Sequence, residues 1–395
     1  MKALFLFALL FEVLSFIAIR DHYSKRSGIL FYIITAIHFA LSVLMWFYIF
    51  IVLTYKGFPD DPSHLNDQLI FTGLLSAVLI PRSIFSTVHF IGKFFRIKRG
   101  GHIRWLTKAA IIYSVLVSLI LCYGSFFGRF NFKTEAVTVN IKGMDPSLDG
   151  LIIAHLTDMH LSSFYNKSNR LEEVMKTVDS YNPDLIVNTG DFITLGPREY
   201  GRFDTLLLKH RGIYGNYAIL GNHDMGTYMS ANYSGEKRAT PDRMRELITK
   251  SGYNLLNDEN TIINVRGVNV AVIGVKTGGS HPEIIHGDVR KASIGTDSAG
   301  LRILLCHDPN QWDKDVVGKT DIELSLAGHT HGMQIGIITR NFRWSPAKRF
   351  YPRWHGLYSE GEQFLYVNRG LGVLGVPFRI WMPPEITIIT LRSVK

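Results

Sequence analysis

The sequence predicts an α/β domain carried behind a bundle of four transmembrane helices. Three observations lead there. Apolar stretches of near-bilayer length crowd the first third, short β-rich runs alternate with helical stretches from about Lys133 onward, and five of those runs end in side chains of metal-binding type. A chain of 395 residues has room for more than one compact unit, since single domains usually hold about 100 to 200 residues.

The apolar stretches are Ala3 to Ile19, Ile29 to Leu53, Leu69 to Gly92 and Ala109 to Phe127, each close to the roughly 20 residues a helix needs to cross a bilayer. The first is the shortest and carries Glu12. No small-residue cleavage site precedes the basic stretch Arg20 to Arg26, so it reads as a helix rather than a removed signal peptide.

Charge supports the same division. The chain has a net charge of +10, and Met1 to Ser125 hold 12 of its 43 Lys and Arg but only 5 of its 33 Asp and Glu. Positive charge beside apolar segments reports membrane topology, so the expected partner is the lipid bilayer and not nucleic acid. Arg20, Lys25 and Arg26 in the first connection, and Lys93, Arg96, Lys98, Arg99, Arg104 and Lys108 in the third, mark cytoplasmic loops; the second holds Asp60, Asp61 and Asp67 against Lys56. The expected organisation is a membrane domain over residues 1–127, a linker over 128–135 and a soluble domain over 136–395. The soluble part is expected on the extracytoplasmic face of the cell membrane, in a multi-pass protein; an enzyme facing the cytoplasm is the rival placement.

Glu12, His38, Arg82 and His89 sit at membrane depth, where ionisable groups are functional suspects by default. Pairing between helices and a kink at Pro81 account for them more simply, because no pair of Gly/Pro-broken helices of the transporter kind is present. The two cysteines, Cys122 in the fourth span and Cys306 in a later strand, offer no disulfide framework.

Past Lys133 the runs AVTVNI, GLIIAHL, PDLIVNTG, NYAIL, NVAVIGV, LRILLC, DIELSL, QFLYV and EITIITL read as strands, and Arg170 to Tyr181 and Pro241 to Ser251 as helices. The chemistry sits where strands end: Asp158 and His160, Asp191, Asn222 with His223 and Asp224, His307, and His329 with His331. In α/β sheets the ligand crevice lies beyond the carboxyl ends of strands, so these loops can converge. Two Asp, an Asn carbonyl and four His form a mixed oxygen and nitrogen set without thiolate, which suits Mn²⁺, Fe or Zn²⁺. Seven donors are too many for one tetrahedral ion and the right number for two ions sharing a carboxylate, about 3.5 to 4 Å apart. The D-x-H and H-x-H spacings place both side chains of each pair on one side of an extended chain.

The ordered set Asp158-x-His160, Gly190-Asp191, Gly221-Asn222-His223-Asp224, His307 and Gly328-His329-x-His331 resembles the calcineurin-like metallophosphoesterase superfamily, in its membrane-anchored branch, over roughly Ala136 to Leu391. The late Arg369-Gly-Leu-Gly run resembles the same branch. The resemblance implies a four-layer α-β-β-α sandwich and a metal-dependent phosphoric ester hydrolase. It implies one ion held by Asp158, His160, Asp191 and His331, a second held by Asp191, Asn222, His307 and His329, and His223 as the catalytic residue that protonates the leaving alkoxide. Arg369 is a candidate phosphate contact, as a bidentate donor.

Two features depart from the pattern. Met333 stands where many relatives have a second glycine after H-x-H, and GDFITLG lacks the carboxylate that often supports the catalytic histidine a few residues after G-D. His155 reads as a core or rim histidine, His281 and His286 as loop residues, and Met229 to Asp242 as a surface loop or a lid. The substrate is a phosphodiester or phosphomonoester. Four anchoring helices and the apolar run GVPFRIWMPP, with Phe378 and Trp381, favour a lipid or lipid-linked phosphate. A receptor or transporter using a degenerate phosphoesterase unit as a binding module is the rival from another class, and would have lost ligands; all seven positions are filled.

Overall fold

The computed structural model describes residues 2–24, 28–99, 104–229, 234–277, 287–339 and 341–395. Lys25, Arg26, His281, His286 and residues 230–233 of the expected lid lie outside the described residues. The chain divides into two compact units, one made of Met1–Lys56, Asn66–Phe127 and Gly375–Phe378, the other of Gly57–Leu65, Gly128–Leu374 and Arg379–Lys395.

In the first unit, long apolar runs leave the backbone only its own amides to bond with, and helices result. These are α1 (Lys2–Tyr23), α2 (Gly28–Thr54), α3 (Pro62–Arg99) and α4 (Arg104–Phe126). Among the described residues three of them, not the expected four, are long and apolar enough to cross a membrane: α2, α3 and α4. α1 is not among them; it carries Glu12 near its middle and Arg20 and Asp21 near its end.

Pro81 sits inside α3 and has no N–H to give to the carbonyl of Ala77. Ser118 of α4 supplies the missing donor, its Oγ lying 2.6 Å from Ala77 O. Arg82 donates to the backbone carbonyl of His38 at 2.7 Å and to Ser42 Oγ at 3.0 Å, and Trp46 Nε1 donates to Glu12 Oε2 at 2.8 Å. Glu12 therefore pairs with an indole, whereas the buried His38 Nε2 has no hydrogen-bond partner among the described residues. Phe378, in this unit, is buried.

The second unit holds two six-stranded sheets. Sheet one contains β1 (Lys133–Lys142), β2 (Ile152–Leu156), β3 (Leu185–Asn188), β4 (Asn216–Ala218), β5 (Tyr253–Leu255) and β14 (Glu385–Val394), in the order β1-β14-β2-β3-β4-β5. Sheet two contains β6 (Glu259–Val265), β7 (Val268–Gly274), β8 (Leu301–Leu305), β9 (Leu324–Ala327), β12 (Gly356–Glu360) and β13 (Gln363–Val367), in the order β12-β13-β9-β8-β7-β6. A small ribbon pairs β10 (Ile337–Ile338) with β11 (Arg343–Trp344).

Strand alternation builds the layers. Ile153, Leu185, Val187, Ile219 and Ile389 of sheet one face Val270, Val272, Ile303, Leu305 and Leu326 of sheet two across a common core. The opposite residues of sheet one, among them Ala154, Leu156, Ile186 and Ala218, pack on Leu171, Val174 and Val178 of α5 (Ser168–Asp179), Leu207 of α6 (Phe203–Leu207) and Met244 and Ile248 of α7 (Ser234–Lys250). The outer face of sheet two packs on α8 (Val289–Ala292) and on the turn at Trp312 and Val316. The result is the four-layer α-β-β-α sandwich. Each fully buried aliphatic side chain stabilises it by roughly 1.5–3 kcal/mol. Cys306 belongs to the outer core of sheet two, and His155 is fully buried within its sheet.

Candidate metal centre

β2, β3 and β4 are neighbours and parallel in one sheet, and β8 and β9 are neighbours and parallel in the other. Their carboxyl ends therefore open on one edge of the sandwich, and the loops that follow carry all seven expected donors. Two groups form. Asp158, His160 and His331 each offer an atom within 4.8 Å of the others, and so do Asp191, His307 and His329. The two imidazoles of the Gly328-His329-Thr330-His331 stretch are thus divided between the two groups.

The distances are short for uncharged neighbours. His331 Nε2 lies 3.2 Å from both Asp158 Oδ1 and His160 Nε2, and His307 Nε2 lies 3.1 Å from Asp191 Oδ2. Asp191 Oδ2 is also 3.9 Å from His160 Nε2, so this carboxylate touches both groups. The second nitrogen of each imidazole is tied elsewhere: His160 Nδ1 to Ile193 O at 3.1 Å, His307 Nδ1 to Thr189 O at 2.7 Å and His329 Nε2 to the Tyr351 hydroxyl at 2.8 Å. Such bonds fix the tautomer and turn the free nitrogen inward. His331 Nδ1 instead meets Arg379 Nη2 at 3.3 Å; this buried guanidinium also donates to the carbonyls of Arg369, Gly370 and Gly372.

The backbone corrects one step of the sequence argument. Asp158, His160, Asp191, His329 and His331 have φ of 49°, 40°, 57°, 70° and 50°, so the paired donors come from left-handed turns and not from extended chain. That conformation costs non-glycine residues about 1–3 kcal/mol each and clusters at functional sites. Close backbone approach matters at two glycines: a Cβ on Gly221 would strike the Asp191 carboxylate, and one on Gly328 would strike Asp158 and Thr157.

Electrostatically the site is poised for positive charge. Burial opposes protonation of His307, but Asp191 and then Asp158 more than offset it and push the imidazole up to about 10. Burial also works against ionising Asp191, yet His307 and His223 hold the carboxyl below its usual range. Asn222 Oδ1 is buried with no hydrogen-bond partner among the described residues, an arrangement that is unfavourable unless a cation or donor meets it. Together with the thiolate-free donor set, this fits a pair of divalent cations.

His223 stands beside these groups. Its Nδ1 lies 2.6 Å from Thr194 O, its backbone N–H donates to Asp191 Oδ1 at 2.9 Å, and its ring stacks on Tyr228 at 4.3 Å between centroids. The carboxylate missing from GDFITLG is present by another route. Glu199 is fully buried and accepts the N–H groups of Thr194 (2.8 Å), Leu195 and Gly196 (3.0 Å), so it holds the turn whose carbonyl receives His223. Asp224 plays a different part: its carboxylate accepts the N–H groups of Asp191, Ile193 and Gly221, locking the two donor loops together.

Arg369, the candidate phosphate contact, is 2% exposed; its Nε donates to Glu385 at 2.6 Å and its Nη2 to Glu135 at 2.7 Å, so two carboxylates engage its guanidinium. Glu199, Tyr228, Tyr351 and Arg379 were not foreseen. Only Glu199 left a signal, the Gly196-Pro-Arg-Glu spacing of a helical-turn cap.

Sandwich, strand-end loops and paired donor groups together define a two-metal phosphoesterase class. A profile described as calcineurin-like phosphoesterase matches residues 151–333. The chain is 30% identical over 285 residues to the uncharacterized metallophosphoesterase YkuE of Bacillus subtilis, covering 69% of this chain and 90% of that one. It is 28% identical over 343 residues to a transmembrane protein with metallophosphoesterase domain from Danio rerio, covering 85% and 75%. It is 26% identical over 281 residues to the UDP-2,3-diacylglucosamine pyrophosphatase LpxG of Chlamydia muridarum, covering 61% and 84%. The chain belongs to the calcineurin-like metallophosphoesterases, a family of phosphoester hydrolases with dinuclear metal centres. Its apolar helices and the Danio relative make it a membrane protein.

Proposed function

We propose that this protein is a membrane-anchored, two-metal phosphoesterase that hydrolyses a phosphodiester or phosphomonoester, with a lipid or lipid-linked phosphate as the favoured substrate. The observation that carries the reading is the meeting of two donor groups at Asp191. Asp158, His160, Asp191 and His331 would hold one ion, and Asp191, Asn222, His307 and His329 the other; Mn²⁺, Fe and Zn²⁺ all suit these donors. When bound, two such ions would supply Lewis-acid polarisation of phosphoryl oxygens and would make a water more acidic. His223 keeps its Nδ1 on Thr194 O and offers Nε2 to the leaving oxygen, so the proton transfer occurs at a nitrogen of fixed direction. Tyr351 orients His329, and Tyr228 limits the tilt of His223.

The lipid preference is supported by exposed residues in and after the β10–β11 ribbon and at Trp381. Phe342 (56% exposed), Trp344 (47%), Phe350 (59%) and Trp381 (66%) are exposed aromatics, and Arg343, Lys348 and Arg349 are exposed among them. Aromatic rings with interspersed cations suit an interface of acyl chains and anionic headgroups. The name of the Chlamydia relative, a UDP-2,3-diacylglucosamine pyrophosphatase, gives that protein an acylated substrate that contains a diphosphate.

The same proposal assigns residues 1–127 to the membrane, 128–135 to a linker and 136–395 to catalysis, with several passes and the catalytic part outside the cytoplasm. Residues 57–65 and 128 onward share one compact unit, which favours a common side of the bilayer. The basic connection between α3 and α4 then lies inside.

The test uses the full chain in detergent. Metal analysis is expected to find about two divalent ions per chain. Turnover is then compared, with Mn²⁺ added, on a chromogenic diester, the matching monoester and a phospholipid in mixed micelles. Absence of bound metal, or inertness toward all three, overturns the proposal.

A further inference from the structure

Residues 57–65, the end of the connection between α2 and α3 with the first residues of α3, belong to the same compact unit as the metal-type donors. Within this connection Asp60 is 0% exposed. Its Oδ2 accepts the backbone N–H of Arg198 at 3.1 Å and its Oδ1 accepts Arg198 Nη1 at 3.0 Å. Phe58 lies under the same guanidinium, 3.6 Å from ring centroid to Cζ. Gly196 completes the fit, because a Cβ there would come within 2.5 Å of Asp60 Oδ2. Burying a carboxylate is unfavourable unless it is paired and hydrogen-bonded, and Asp60 is both.

The turn that Asp60 grips is the one that aims the imidazole of His223. Glu199 gathers the N–H groups of Thr194, Leu195 and Gly196 from one side. Asp60 takes the N–H and the guanidinium of Arg198 from the other. Between them Thr194 O receives His223 Nδ1 at 2.6 Å, while Ile193 O and Thr194 Oγ1 lie 3.1 Å and 3.2 Å from His160 Nδ1.

We propose that Asp60 is a positioning residue for hydrolysis: the connection between two membrane helices completes the turn that orients His223, so the phosphoesterase part works at full rate only with that connection in place. This rests on the phosphoesterase reading above. The reasoning is geometric. A carbonyl held from one side only can rotate, and displacing a reacting group by about 1 Å can lower a rate about 100-fold.

The experiment uses the full-length chain in nanodiscs with Asp60→Asn, which keeps the shape and removes the charge, and with Gly196→Ala, which wedges the connection off the turn and serves if the first variant misfolds. Hydrogen exchange is expected to quicken at least about tenfold at the amides of Thr194, Leu195, Gly196 and Arg198, as expected when a hydrogen-bonded turn opens locally. Turnover of esters graded by leaving group is expected to fall about tenfold or more for alkyl leaving groups but only about twofold for 4-nitrophenyl, because only the former need the proton that His223 delivers. Bound metal and KM stay unchanged. Exchange equal to wild type in both variants, or equal losses for both kinds of leaving group, overturns the proposal. The exchange arm reads the clamp whether or not any ester is turned over. A wild-type chain inert toward every ester therefore sinks the enzymatic reading, and undisturbed amides sink this one.

Discussion

His223 Nδ1 and the carbonyl oxygen of Thr194 are 2.6 Å apart, and that single bond determines which nitrogen of the ring faces the paired donor groups. Because the carbonyl can only accept, Nδ1 carries a proton and Nε2 is left to exchange one. His223→Asn retains a donor toward Thr194 O and removes the exchangeable nitrogen. Its kcat on alkyl phosphate esters is expected to fall about 100- to 10,000-fold, with bound metal unchanged by elemental analysis. A variant within threefold of wild type would deny His223 the acid role.

Asp191 approaches both donor groups, 3.1 Å from His307 Nε2 and 3.9 Å from His160 Nε2, and its other oxygen receives the His223 N–H. Asp191→Asn should therefore empty both positions together rather than one. Elemental analysis is expected to find less than about a tenth of the metal, since both ions of such a pair depend on the shared ligand. Retention of one full equivalent would show that the groups load independently.

Glu199 is buried and serves three backbone donors. Glu199→Gln presents an NH₂ to N–H groups that need an acceptor, and leaving such donors unsatisfied costs about 1–3 kcal/mol. A lower melting temperature and a lower kcat, with unchanged KM, are expected. A variant melting with wild type would remove Glu199 from the account.

His155 and His355 give the protein an acid-side limit. Burial is the main cause holding each down to about 4, against 6.5 for a free imidazole. Between those values the unfolded chain binds more protons at these two sites than the folded one, so the stability they contribute is complete above pH 6.5 and declines as pH falls, by about 1.4 kcal/mol per unit for each group. Melting temperatures between pH 7.5 and pH 4.5 test this, and His155→Gln should flatten the decline. A curve that rises on acidification would contradict it.

The aromatic rim separates lipid from soluble substrates. Trp344→Ser with Phe350→Ser removes two exposed rings without entering the core. KM toward a micellar phospholipid is expected to rise about tenfold, the loss of roughly 1.4 kcal/mol of interfacial contact, while turnover of a chromogenic diester stays within twofold. Equal effects on both would assign the rim a structural part.

Much of this protein was legible before any coordinates. Apolar length identified the helices of the first third, short β-rich runs located β2, β3, β4, β8 and β9, and the residues after those strands supplied the seven candidate donors. These features are local: a strand or a membrane helix is written in neighbouring residues, because burial and backbone hydrogen bonding act over a few positions.

Tertiary structure decided what joins across the chain. The sequence could not tell that Asp158 and His331 approach through left-handed turns, that Arg369 is taken by Glu385 and Glu135, or that Asp60 reaches Arg198 across more than a hundred residues. The physical reason is the same in each case. A side chain's type states what it can bond to, whereas its partner is chosen by which strand ends the sheet order brings together and by which buried charges must then neutralise one another.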